Sequence, residues 1–154
     1  MNPEVIFQIA NTSALLVWIY LFAAARWTPK LFICVRWGFP IALSILYLGM
    51  VLGGEKPDEA NFTSLEGVSA LFTTPRGVVA AWIHFLVFDF FVGCWILVTS
   101  KKEGIAHPLI LVPLLFTFLF GPAGLLLFLI LLGVCRWRKK GNETLNLDAR
   151  PEGH

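Results

Sequence analysis

The chain has little of what a soluble domain relies on. Only 14% of its 154 residues are charged and 57% are hydrophobic, where an ordinary soluble domain has about 25% and about 45–50%. That balance excludes such a domain. Three histidines are too few for a multi-histidine di-metal desaturase or hydroxylase site. No H-E-x-x-H, paired C-x-x-C, P-loop or G-x-S-x-G pattern occurs, which removes the chemistries those spacings carry. Cys34, Cys94 and Cys135 are odd in number, far apart, and each in or beside an apolar run; they read as packed thiols, not as a disulfide framework or metal site. The net charge of +2 comes from basic residues at helix ends, so no nucleic-acid footprint is present. Neither a metal nor a cofactor is expected. The opening "MNPEVIFQIANTS" has neither the basic n-region of a cleaved signal nor the Arg/Ser-rich character of a transit peptide, and the first helix is expected to be retained.

What the chain does have is apolar length. Val5–Ala25, Leu31–Leu52, Gly77–Ser100 and His107–Val134 each approach or exceed the roughly 20 residues that span a hydrocarbon core as a helix. The expected fold is all-α: an integral membrane four-helix bundle forming one domain over 1–140, with spans about 4–25, 33–52, 77–100 and 107–134. The polar residues 141–154 read as a solvated, disordered tail.

In the first helix Gln8, Asn11 and Thr12 fall on one face, which is expected to turn inward because hydrocarbon cannot satisfy their hydrogen bonds. Arg36 is expected to snorkel to the interface beside Trp37. Between helices two and three, Thr63 and Glu66 have capping-box spacing, and Phe62, Leu65, Val68, Leu71 and Phe72 recur at roughly helical intervals. A short amphipathic interfacial helix is predicted there, either anchoring the loop or closing a pocket mouth. The last apolar stretch is broken by "FGPAG", where Pro122 predicts a kink. A straightforward fourth crossing would place the basic "RWRKK" on the side opposite Arg26, Lys30, Arg36, Lys101 and Lys102, against the positive-inside rule. A hairpin at Gly121–Gly124 would remove the conflict, but each leg would hold only about 12 to 14 residues. A kinked span is the preferred expectation.

"AAWIHFLVFDFFVG" places His84 and Asp89 inside an apolar, aromatic helix. An intramembrane ionisable residue costs a few kcal/mol and is a functional candidate by default. Five residues separate the two, about 140° around a helix, so they flank a cavity or address different neighbours. Together they make an acid and a base for proton transfer in a dry site. The alternative is that both hydrogen-bond polar groups such as Asn11, Ser44 or Tyr47.

Three stretches carry a family resemblance: "NPEVIFQIANTSALLVW", "FTSLEGVSALFTTPRGVVAAWIHFLVFDFFVGCW" and "IAHPLILVPLLFTFLFGPAGLLLF". Together they resemble the abscisic acid-deficient 4-like family of small multi-pass membrane proteins, and the block with Trp82, His84, Asp89, Gly93 and Trp95 is the specific part. The resemblance implies a four-helix membrane protein and, for the plant member, conversion of violaxanthin to neoxanthin in plastid membranes. Without a transit peptide, this chain looks more like a bacterial relative, in an inner membrane; a plant or algal source would place it in a plastid membrane. Opening a 5,6-epoxide to an allenic alcohol is a net isomerisation, for which Asp89 and His84 would suffice, with Asn11 and Tyr47 orienting and Trp82, Phe88, Phe91 and Trp95 stacking on the polyene. The implied partners are an apolar lipid or carotenoid ligand, membrane lipids, and a second copy or a partner membrane enzyme. A non-catalytic lipid-binding or accessory module is the competing reading. A small transporter is a third, disfavoured because no inverted repeat is visible.

Overall fold

The computed structural model describes residues 2–54 and 57–148, with side chains up to Gly141. Six helices and no strand occur among the described residues: α1 (Pro3–Ala23), α2 (Pro29–Leu52), α3 (Leu65–Ala70), α4 (Pro75–Glu103), α5 (His107–Phe120) and α6 (Pro122–Asp148). By length and composition α1, α2 and α4 can each cross a membrane, whereas α5 is a shorter apolar helix. The chain forms two compact units, residues up to Cys94 and residues from Trp95 onward, so α4 contributes to both.

Unit 1 is built on α1, α2 and the first two-thirds of α4. Asn2 starts α1: its side chain accepts a hydrogen bond from the Glu4 amide at 2.9 Å, and Pro3 occupies a first-turn position that needs no donor. The buried face of α1 is Ile6, Ala10, Ala14, Trp18 and Leu21. Gln8, Asn11 and Thr12 are instead exposed, contrary to the inward orientation expected of them, because alanines at 10 and 14 allow a close helix approach that larger polar groups would block. The core continues with Leu43 and Met50 of α2 and Val79, Ala80 and Ile83 of α4. Paired contacts set the directions. Asn11 meets Trp82 and Trp18 meets Phe90, so α1 and α4 run parallel. Phe39 meets Phe90 and Tyr47 meets His84, so α2 runs antiparallel to them.

The loop after α2 is organised by Asn61, whose Oδ1 accepts from the amides and hydroxyls of Thr63 and Ser64 at 2.9–3.1 Å. The helix cap lies one residue beyond the expected Thr63: the Ser64 hydroxyl, which also donates to Asn61, accepts from the Gly67 amide at 3.0 Å. The predicted short helix is present as the single-turn-and-a-half α3.

Unit 2 corrects the expected kink. Gly121 adopts φ +38°, a conformation L side chains avoid, and Pro122 then starts a new helix. The chain reverses there. Gly124 packs so closely on Thr117 and Pro113 that an added Cβ would lie 2.0 Å from the Thr117 backbone nitrogen. Ile110, Leu114 and Thr117 of α5 and Phe128 of α6 are fully buried. At the open end Arg136 of α6 donates to the Glu103 carboxylate through Nε at 3.0 Å and Nη2 at 2.5 Å, so α5 and α6 form an antiparallel hairpin. With 14 residues, α5 is about 21 Å long against a hydrocarbon core of about 30 Å. Helix α6 continues beyond its apolar part to Asp148, into the stretch expected to be a disordered tail; residues 149–154 of that tail lie outside the described residues.

Candidate functional site

A cleft of about 560 Å³ opens in unit 1 between α2, α4 and the loop that joins them. The end of α2 supplies Tyr47, Met50 and Val51, and the start of α4 supplies Ala80, Ala81, His84 and Phe85. Phe62, Leu71 and Phe72 from either side of α3 complete the mouth. The cleft exists because Ala80 and Ala81 are small where α4 passes α2, while α3 is too short to cover the gap.

Thr74 caps α4, accepting from the Gly77 amide at 3.1 Å, and Pro75 follows it. Arg76 then donates from Nη1 to the Gly53 carbonyl, tying the end of α2 to the start of α4 at the rim. His84 lies eight residues further along, about 12 Å by helical rise. Its imidazole is flanked by the rings of Tyr47, with centroids 6.1 Å apart, and Phe88 at 4.6 Å. The wall is therefore apolar and aromatic, with one imidazole and one phenol inside it and a guanidinium at its rim.

Of the residues singled out from sequence, Tyr47 and His84 are brought together in this wall, and Phe88 meets the imidazole without lining the cleft. Asn11 and Trp82 pair with each other, Trp82 Nε1 donating to Asn11 Oδ1 at 3.3 Å. Asp89 is half-buried, makes no hydrogen bond among the described residues, and does not line the cleft. Phe91 is exposed. Trp95 belongs to unit 2, where it meets Phe128 edge-on at 5.3 Å. Sequence reasoning missed Arg76, Met50 and Phe85. Arg76 carried the one available signal, a cation at the first turn of an apolar helix.

The family model described as ABA DEFICIENT 4-like matches residues 5–128. The chain belongs to the ABA DEFICIENT 4-like family. Neither the curated proteins nor the solved structures gave a match. The stretch matched to the ABA DEFICIENT 4-like model contains every residue of the cleft and both legs of the hairpin as far as Phe128, and it stops before the basic run at Arg136.

Proposed function

We propose that this ABA DEFICIENT 4-like protein is a multi-pass membrane enzyme that isomerises an isoprenoid lipid by acid–base chemistry in the cleft of unit 1. Helices α1, α2 and α4 cross the bilayer, and α5–α6 enters and returns. This arrangement puts Lys101, Lys102 and the Arg136–Lys140 run on one side, removing the conflict with the positive-inside rule. A bacterial inner membrane is the proposed location, or a plastid membrane for a plant or algal source. The ligand enters sideways from lipid, and the cleft takes one end of it, because 560 Å³ is within the range of about 300–1,000 Å³ typical of sites for small ligands.

The observation that carries the reading is His84 set beside Tyr47 in a mostly apolar wall. For a carotenoid 5,6-epoxide, conversion of the violaxanthin-to-neoxanthin type needs a proton delivered to the epoxide oxygen as its C–O bond breaks, and a proton removed from the polyene carbon. Atoms and electrons balance without a cofactor. His84 is the base and the Tyr47 hydroxyl the proton donor; Asp89, outside the cleft wall, supports the imidazolium electrostatically and does not touch the ligand. The test is chromatography with mass detection on cells that make violaxanthin, with and without this protein. The expected result is a new isomer of unchanged mass.

The second reading, a lipid-binding or accessory module, is favoured by the position of Asp89, which leaves the cleft with no carboxylate among the described residues. Gln8 and Thr12 on the outer face of α1 offer hydrogen bonds to a second copy or to a partner membrane enzyme. An unchanged pigment profile with the ligand retained by the purified protein would select this second reading.

A further inference from the structure

The open end of the hairpin in unit 2 concentrates charge of one sign. Lys101 and Lys102 stand in the last turn of α4, and Arg136, Arg138, Lys139 and Lys140 follow the apolar part of α6. From Trp95 to Gly141 the only carboxylate is Glu103, and it is already engaged. Arg136 holds its side chain, and Lys139 donates to its backbone carbonyl at 2.5 Å while lying 3.9 Å from Oε2. Lys101, Lys102, Arg138 and Lys140 therefore have no acidic partner among the described side chains of the unit.

The surroundings of this cluster are those of a bilayer interface. Trp137, inside the basic run, is 78% exposed, and Trp is enriched at the headgroup level of membranes. Immediately below it the legs of the hairpin expose Leu109, Val112, Ile130 and Val134, an apolar flank suited to acyl chains. Cations with an indole among them, then exposed aliphatic side chains, follow in the order in which a phospholipid presents headgroup and chain. A soluble polyanion would complement the cations but leave the apolar flank unmatched.

We propose that this end of unit 2 binds the headgroups of anionic phospholipids in the leaflet it abuts, with Lys101, Lys102, Arg138 and Lys140 as the contacting groups. The Glu103 bridges act as the fixed part, joining α6 to α4 so that the cations of both helices present at one end. The surface is independent of the cleft, and its basic run lies beyond the stretch matched to the family.

The test uses the full-length protein in neutral detergent with equal amounts of dioleoyl-phosphatidylglycerol and dioleoyl-phosphatidylcholine, counting retained lipids by native mass spectrometry. Wild type is expected to retain phosphatidylglycerol over phosphatidylcholine by roughly tenfold, since each basic residue near an anionic surface contributes measurably. The K101Q/K102Q/R138Q/K140Q variant, which leaves Arg136, Lys139 and Glu103 in place, is expected to fall near parity. R138Q/K140Q, which leaves α4 untouched, is expected to fall part of the way and decides the question if the fourfold variant loses its helical signal. Equal retention by wild type, or a preference that the variants keep, overturns the proposal. So does displacement of phosphatidylglycerol by inorganic phosphate beyond that caused by chloride at equal ionic strength, which would assign the cations to a soluble phosphate ligand.

Discussion

Helix α4 runs through two different kinds of packing. Before Cys94 its neighbours leave a gap: Ala80 and Ala81 pass α2 without filling the space, and an imidazole, a phenol and a guanidinium line what remains. After Trp95 the packing is close, for Phe128 meets the Trp95 ring edge-on and Gly124 sits against the Thr117 backbone. Polar groups follow the same division. In unit 2 the buried hydroxyls are spent within their own helices, Thr117 donating to the Pro113 carbonyl at 2.8 Å and Ser100 to the Leu97 carbonyl at 2.9 Å. In unit 1 the His84 imidazole and the Tyr47 phenol face a cavity. On the proposed reading, one unit contacts the ligand and the other holds the chain at the interface.

The contrast breaks most completely if the gap is filled. Ala81→Trp is expected to abolish ligand retention and product formation while the melting of the purified protein in detergent shifts little, because the new ring occupies empty cleft; ligand retained at the wild-type level would show that the cleft is not the site. The complementary change is Gly124→Leu. Its side chain would have to displace the backbone of Thr117 and Pro113, a cost above the usual 1–3 kcal/mol or so of overpacking, so a large loss of thermal stability is expected by circular dichroism. Gly93→Ala in unit 1 is milder. Its Cβ would lie 2.8 Å from the edge of the Trp18 ring and 3.1 Å from a Leu21 methyl, side-chain atoms that can shift, and a loss of about 1–2 kcal/mol should appear in the same melts. Smallest is Arg136→Gln, which removes an exposed ion pair; the change should be slight and disappear at high salt.

How far all this was visible in the sequence differs between the same two regions. Apolar length located α1, α2 and α4 within a few residues, since the cost of unpaired backbone in hydrocarbon leaves helices as the only solution for such runs. His84 could be picked out because an imidazole in that company is rare, and Tyr47 because a phenol stood within an apolar helix. The hairpin was legible only as the alternative that the positive-inside conflict raised, set below a kinked span. Gly121 and Pro122 mark a break, yet whether a break bends or reverses depends on what packs afterwards, here Gly124 on Thr117, a contact no local window contains. The inward face of α1 was misread for a related reason. Polarity suggested that Gln8 and Thr12 face the core, but the core was selected by size, through Ala10 and Ala14. The N-cap of α3 is Ser64 and not Thr63, in a loop whose turn is set by Asn61, and capping-box spacing alone does not contain that turn. Arg76 and Phe85 entered the cleft wall only through the arrangement of α2 against α4.

The most direct test of the catalytic reading is to compare His84→Gln with Asp89→Asn at equal protein abundance in violaxanthin-making cells, reading the isomer of unchanged mass. His84 lines the cleft and Asp89 does not, so the account predicts that His84→Gln lowers product by roughly a hundredfold or more, as loss of a general base does, while Asp89→Asn keeps most of it. Product lost in Asp89→Asn and kept in His84→Gln would contradict the account and move the chemistry out of the cleft.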